Sequence, residues 1–138
     1  MAVKYILDAC ALIAFLNEET GGSTVRKLLK DAVDNNIEIL MNRLNLYEVY
    51  YGFYKAEGSE RANSMYGIVS RLQIRLIDGI SDSVLQEAAR FKSLYRMSLA
   101  DSIALGEASV RSALLVTSDH HEFDPVEKGE NIVFEWIR

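Results

Sequence analysis

The chain has 138 residues, 49% of them hydrophobic and 25% charged, with 15 basic against 20 acidic side chains and a formal net charge of −5. Residues 1–138 suit one domain that buries roughly 70% of the surface its unfolded form exposes, so neither a disulfide nor a structural zinc is required. The charge excludes a generic, highly basic DNA-coating protein, no run reaches the roughly 18 apolar residues of a membrane span, and the single Cys10 cannot form an internal disulfide, so the expected compartment is the cytosol, with no membrane partner.

Val3 to Leu7 is β-forming and ends abruptly at Asp8, and an apolar run with helical spacing, Ala9 to Leu16, starts on the next residue. A Gly21-Gly22 turn precedes a helix over Ser23 to Asn35, with Val25, Leu28, Leu29, Ala32 and Val33 at helical spacing. Ile37 to Met41 is a second strand, followed by helices over Asn42 to Lys55 and Glu60 to Leu72. Ile74 to Ile77 is a third strand, and helices follow over Asp82 to Tyr95 and Ser98 to Arg111. Ala113 to Thr117 and Ile132 to Ile137 complete the strands, and the only proline, Pro125, falls in the loop between them. Strands alternating with helices predict an α/β fold of three layers, α/β/α, around a central, mostly parallel five-stranded sheet. Ligands of such sheets bind outside the carboxyl ends of the strands, where the strand order reverses.

Four acids fall at or near those ends: Asp8, Glu48, Asp101 and Asp119. Singly, each has an ordinary explanation. Asp8 suits a helix cap, Asp101 suits the first turn of a helix opened by Ser98, Asp119 suits a turn, and Glu48 suits a solvated helix face. Jointly they predict a shared site: two carboxylates about 4 Å apart repel by roughly 4 kcal/mol at an effective dielectric near 20, and a cation or a bound proton must relieve that. Oxygen ligands without His or Cys select Mg²⁺ or Mn²⁺ over zinc, and the chemistry such sites serve is phosphodiester or phosphoryl hydrolysis. Setting the four acids aside leaves 16 acidic against 15 basic side chains, so the charge balance does not oppose a nucleic-acid substrate.

The stretches Leu7-Asp8-Ala9-Cys10-Ala11-Leu12, Leu44 to Gly52 around Glu48, Leu99 to Ala108 around Asp101, and Thr117 to Phe123 around Asp119 resemble, in order, the four signature blocks of PIN-domain ribonucleases. The short single-domain form is similar to VapC-type toxins of toxin–antitoxin pairs. The resemblance implies strand order 3-2-1-4-5, Mg²⁺- or Mn²⁺-dependent endoribonuclease activity, an RNA substrate, a homodimer, and a small antitoxin as inhibitor. It implies Asp8 and Asp101 as direct metal ligands, Glu48 and Asp119 as residues that orient the ion's waters, and Thr117 as the hydroxyl beside the last acid. One position departs from the family pattern: Cys10 stands where Ser, Thr or Asn is usual, and a thiol is a poor hydrogen-bond donor.

Asp124 is the alternative fourth acid, and Glu107 reads as a solvated or interface residue. His120 and His121 read as loop residues without the i, i+4 spacing of a helical zinc pair. Arg43, Lys92 and Arg96 are candidate phosphate contacts, and Tyr47, Tyr50, Tyr51, Phe53 and Tyr54 read as part core and part protein interface. Rival enzymes lack parts. A haloacid-dehalogenase phosphatase needs an Asp at the position of Cys10, a thiol phosphatase an Arg at that of Leu16, and a receiver domain a Lys after the late strand; no G-x-S-x-G elbow is present. The rival of another class is a PIN-like fold kept as an inactive RNA- or protein-binding module.

Overall fold

The strands are short, and the three central ones, through Ile6-Leu7, Leu40-Met41 and Leu115-Val116, are buried on both faces, which is the environment a parallel sheet requires. The computed structural model describes residues 2–34 and 36–138. Its elements are β1 (Val3–Leu7), α1 (Ala9–Leu16), α2 (Gly22–Val33), β2 (Ile37–Asn42), α3 (Arg43–Glu57), α4 (Ser59–Ser70), β3 (Arg75–Ile77), α5 (Asp82–Leu94), α6 (Leu99–Arg111), β4 (Leu114–Thr117), α7 (His120–Gly129) and β5 (Phe134–Trp136). The expected end of the second helix at Asn35 lies outside the described residues.

The sheet runs β3-β2-β1-β4-β5, the expected order, and every pairing is parallel. Ile6 pairs with Leu40 on one side and with Leu115 on the other. Because side chains alternate across a strand, Ile6, Leu40 and Leu115 face one layer, packed with Phe91, Leu105 and Phe123 of α5, α6 and α7. Leu7, Ile39, Met41 and Val116 face the other, packed with Leu12, Val25, Leu46 and Met65 of α1 to α4. The chain steps outward from β1 to β3, then returns to lay β4 on the opposite side of β1. The topological switch point is therefore the crevice between the carboxyl ends of β1 and β4.

Two glycines permit close approaches that shape the molecule around that crevice. Gly21 adopts φ +94 before α2, and a Cβ there would meet the Ile137 carbonyl oxygen at 2.6 Å. Gly106 lets α6 lie tightly on α5, since a Cβ there would meet the Val84 carbonyl oxygen at 3.0 Å.

The main departure from expectation is α7. His120, His121 and Pro125, read as loop, belong to a helix. Pro125 has no N–H to give to the carbonyl one turn back, but Asp119 caps the first turn and the buried Phe123 and Val126 anchor the helix to the core. Tertiary packing overrides the local signal.

Candidate active site

Asp8 stands at the switch point because β1 ends there. Its N–H donates to the Val116 carbonyl at 3.3 Å, a last rung of the β1–β4 ladder, and its side chain then caps α1, Oδ1 accepting from the Ala11 N–H at 2.8 Å. Oδ2 is buried with no hydrogen-bond partner. Asp8 is only 1% exposed, and burial of a half-satisfied carboxylate pushes its pKa up to about 7. The Thr117 hydroxyl and the Ala11 N–H oppose that rise, and Asp101 and Asp119 add to it.

Asp101 sits in the first turn of α6, where Ser98 is the N-cap and its Oγ accepts the Asp101 N–H at 3.1 Å. Burial again leads the rise of its pKa to about 7, the Ser98 hydroxyl easing it and Asp119, Glu48 and Glu122 contributing their charge. Glu48, half-buried on α3, is raised by burial and by Asp119. Asp119 follows Thr117 at the end of β4 and caps α7, Oδ1 accepting from the Glu122 N–H at 3.1 Å, while its own N–H donates to Thr117 Oγ1 at 3.0 Å.

Cys10 senses the whole group. Burial pushes its thiol up to about 12, and the charges of Asp8, Asp119, Asp101 and Glu48 all push in the same direction. The charges of all four acids thus act on this one thiol, and with burial they keep it a neutral S–H at physiological pH. Glu122 is a fifth acid of this neighbourhood: its charge acts on Asp101, and its Oε2 is buried with no hydrogen-bond partner. The signal that places it there is its i+3 position after the capping Asp119, legible only once α7 is known to be helical. Asp124, the alternative fourth acid, lies one step round the helix from Phe123, and its Oδ1 meets His120 Nδ1 at 2.8 Å.

No three His, Cys, Asp or Glu side chains among the described residues come close enough to enclose an ion by themselves. The donors on offer are carboxylate oxygens, with a bare buried Oδ2 on Asp8. That set fits a hard cation that keeps waters and takes one or two direct carboxylates, and does not fit a fully protein-caged metal.

A model of the family described as "PIN domain" matches residues 5–129. The chain belongs to the PIN-domain family, a family of nucleases. Among solved structures this PIN domain is similar in fold to a chain of DNA-bound VapBC from Salmonella typhimurium, with TM-score 0.74, 17% identity, and 99% of each chain covered. It is similar to a chain of VapBC2 from Rickettsia felis bound to a DNA fragment from their promoter, with TM-score 0.73, 19% identity, and 96% and 98% of the two chains covered. A third likeness is to Mycobacterium tuberculosis VapC20, a sarcin-ricin loop cleaving toxin, with TM-score 0.64, 10% identity, and 94% and 98% covered. No curated protein matches the chain.

Around the acids of this PIN domain the basic candidates divide. Arg43 is committed to Asp78 and reaches Tyr66 Oη at 3.4 Å, and Lys92 Nζ donates to the Met97 carbonyl at 2.9 Å. Arg96, two residues before the cap of α6, is exposed and has no ion pair among the described residues. His120 turns from the acids: its ring stacks on Trp136 with centroids 3.8 Å apart, and Nε2 meets the Arg138 carbonyl at 2.8 Å. Glu107 is neither solvated nor available to a partner; it is 1% exposed and accepts from Asn42 Nδ2 at 2.8 Å and Arg111 Nε at 2.9 Å. On α3, Phe53 is buried, while Tyr47, Tyr51 and Tyr54 are about half exposed or more and Tyr47 stacks on Tyr51 with centroids 6.2 Å apart.

Proposed function

We propose that this PIN domain is a Mg²⁺- or Mn²⁺-dependent endoribonuclease and the toxin of a toxin–antitoxin pair, with Asp8, Glu48, Asp101 and Asp119 as its catalytic acids. What supports the proposal is the buried Asp8 at the switch point of the sheet and the half-buried Asp101, both carboxyl groups pushed up to about 7, first by burial. Such groups are poised for a cation, because only added positive charge or a proton makes their proximity tolerable. Asp8 Oδ2 and the Asp101 carboxylate would hold the ion, and the half-buried Glu48 and the capping Asp119 would orient water beside it. A divalent ion held there activates water and offsets charge on the phosphate. Thr117 supports Asp8 through its hydroxyl and braces Asp119 through the N–H it accepts. Arg96, exposed two residues before the cap of α6, is a cation free to meet RNA backbone. The scissile phosphodiester is opened in line by water, leaving a 5′-phosphate and a 3′-hydroxyl.

The antitoxin partner is supported by the fold's likeness to chains of toxin–antitoxin complexes, and the exposed tyrosines of α3 suit a protein interface, whether with that partner or in a homodimer. The test is cleavage of structured and unstructured RNA by purified protein with Mn²⁺ or Mg²⁺. Cleavage is expected to vanish with EDTA and in Asp8→Asn. Cleavage that survives both rejects the metal mechanism, and no cleavage of any RNA by the parent protein favours the binding module.

A further inference from the structure

The acids that make the crevice come from separate elements, so some contact must fix how those elements stand. Glu48 rides on α3 and Asp101 on α6, and two buried side-chain ties join these helices. Near the start of α3, Asn42 Nδ2 donates to Glu107 Oε2 at 2.8 Å and to the Gly79 carbonyl at 3.0 Å. One turn on, Asn45 Nδ2 donates to the Ala100 carbonyl at 3.0 Å. Asn42, Asn45 and Glu107 are all buried. Advancing along α3 from Asn42 to Asn45 moves the partner on α6 from Glu107 back to Ala100, so the helices run past one another in opposite senses and are pinned at two separated points. Two such points fix both slide and rotation, which one alone does not.

The second tie acts close to the site. The Ala100 carbonyl and the Asp101 N–H belong to one peptide unit, whose N–H donates to Ser98 Oγ at 3.1 Å. That unit is therefore held from both sides, by the cap of α6 and by α3. Asn45 is also three residues before Glu48, on the same side of α3. A single amide thus links the backbone of Asp101 to the helix that carries Glu48. Its Oδ1 is buried without a partner, an arrangement that an aliphatic side chain of similar volume would avoid.

We propose that Asn45 and Glu107 are positioning residues: the paired ties they make lock α3 onto α6 and so set where Glu48 stands relative to Asp101. The proposal rests on the metal-site reading for its functional consequence, but its structural half does not. The ties act without touching substrate, as supporting contacts behind metal ligands do, whose loss commonly costs 10- to 100-fold in affinity.

The test uses the full chain as Asn45→Leu, Glu107→Leu and Glu107→Gln, with Mn²⁺ titration calorimetry, amide exchange at Asp101 and Ser102 by NMR in metal-free protein, and thermal unfolding. Asn45→Leu is expected to leave metal-free unfolding unchanged or slightly raised, to speed Asp101 exchange about tenfold, and to weaken Mn²⁺ binding about 10- to 100-fold. Glu107→Leu is expected to weaken Mn²⁺ binding likewise, and Glu107→Gln, which keeps an acceptor for Asn42, to retain parental affinity. Parental Mn²⁺ affinity and parental exchange in both folded Leu variants overturn the proposal. If Asn45→Leu does not fold, the Glu107 pair decides: equal effects of Leu and Gln contradict the tie. If the parent itself takes up no Mn²⁺, the metal-site reading falls and exchange alone judges the positioning, faster exchange upholding it and unchanged exchange rejecting it.

Discussion

Asp8 divides its carboxylate between two tasks. One oxygen caps α1 and the other is left bare in the crevice, so the residue is a cap and a candidate ligand at once. The energetic consequence has a definite sign. In the folded protein Asp8 and Asp101 keep their protons up to about pH 7, whereas unfolded they release them near 3.8. The folded state therefore holds more protons across that window, and metal-free stability falls as pH rises from about 4 to 7. Asp8→Asn is expected to raise metal-free stability at pH 7.5 by on the order of 1–3 kcal/mol, to flatten that slope, and to abolish stabilisation by Mn²⁺. Parental protein is expected to gain more from Mn²⁺ at pH 8 than at pH 5, since protons compete for the same oxygens. Thermal unfolding across pH with and without the ion checks all of this, and a pH-independent metal-free stability would contradict it. The positions of three of the acids were legible in the sequence because Asp8 and Asp119 follow strands and Asp101 lies in the first turn of a helix, whereas Glu48 lies within α3 and stood out only beside them. The double role of Asp8 was not legible, because cap and ligand make identical demands on residue type.

At the scale of elements, α6 carries the heaviest duty. It is capped by Ser98, packed through Gly106 against α5, tied by Ala100 and Glu107 to α3, and it holds Asp101 in its first turn. Ser98→Ala is expected to cost about 1 kcal/mol of folding stability. It should also slow cleavage more at pH 6.5 than at pH 8.5, because the hydroxyl that helps Asp101 ionise is gone; a uniform slowing at both pH values would assign Ser98 to the cap alone. Periodicity located this helix to within a residue, as it did α5, and α3 runs two residues past its expected end at Lys55. It failed on α7, where His-His-Glu, a proline and few apolar residues carry weak helical signal, and where Phe123 and Val126 supply the reason to fold only through contact with distant strands. The same limit explains Glu107. Arg111 is a local partner, but the other, Asn42, lies 65 positions away, and no local pattern announces a bond that remote.

For the whole molecule, the strand order and the site are one fact. Placing β1 at the centre, with β2 and β4 on either side, brings the end of β1 beside the end of β4, so that the charge of Asp119 acts on Asp8 from the far end of the chain. Strand and helix alternation announced the parallel sheet, but the order itself came from the likeness of the four motif blocks to a known family, since periodicity does not rank strands across a sheet. Under the proposed function, a chain with one net acid beyond the quartet leaves RNA approach to exposed local cations such as Arg96. The most direct test of hydrolysis by water in an ion-loaded carboxylate site is the chemistry of the RNA ends produced with Mn²⁺ present. A 5′-phosphate and a 3′-hydroxyl are expected at every cut, whereas a 2′,3′-cyclic phosphate would report attack by the ribose 2′-hydroxyl and contradict the mechanism.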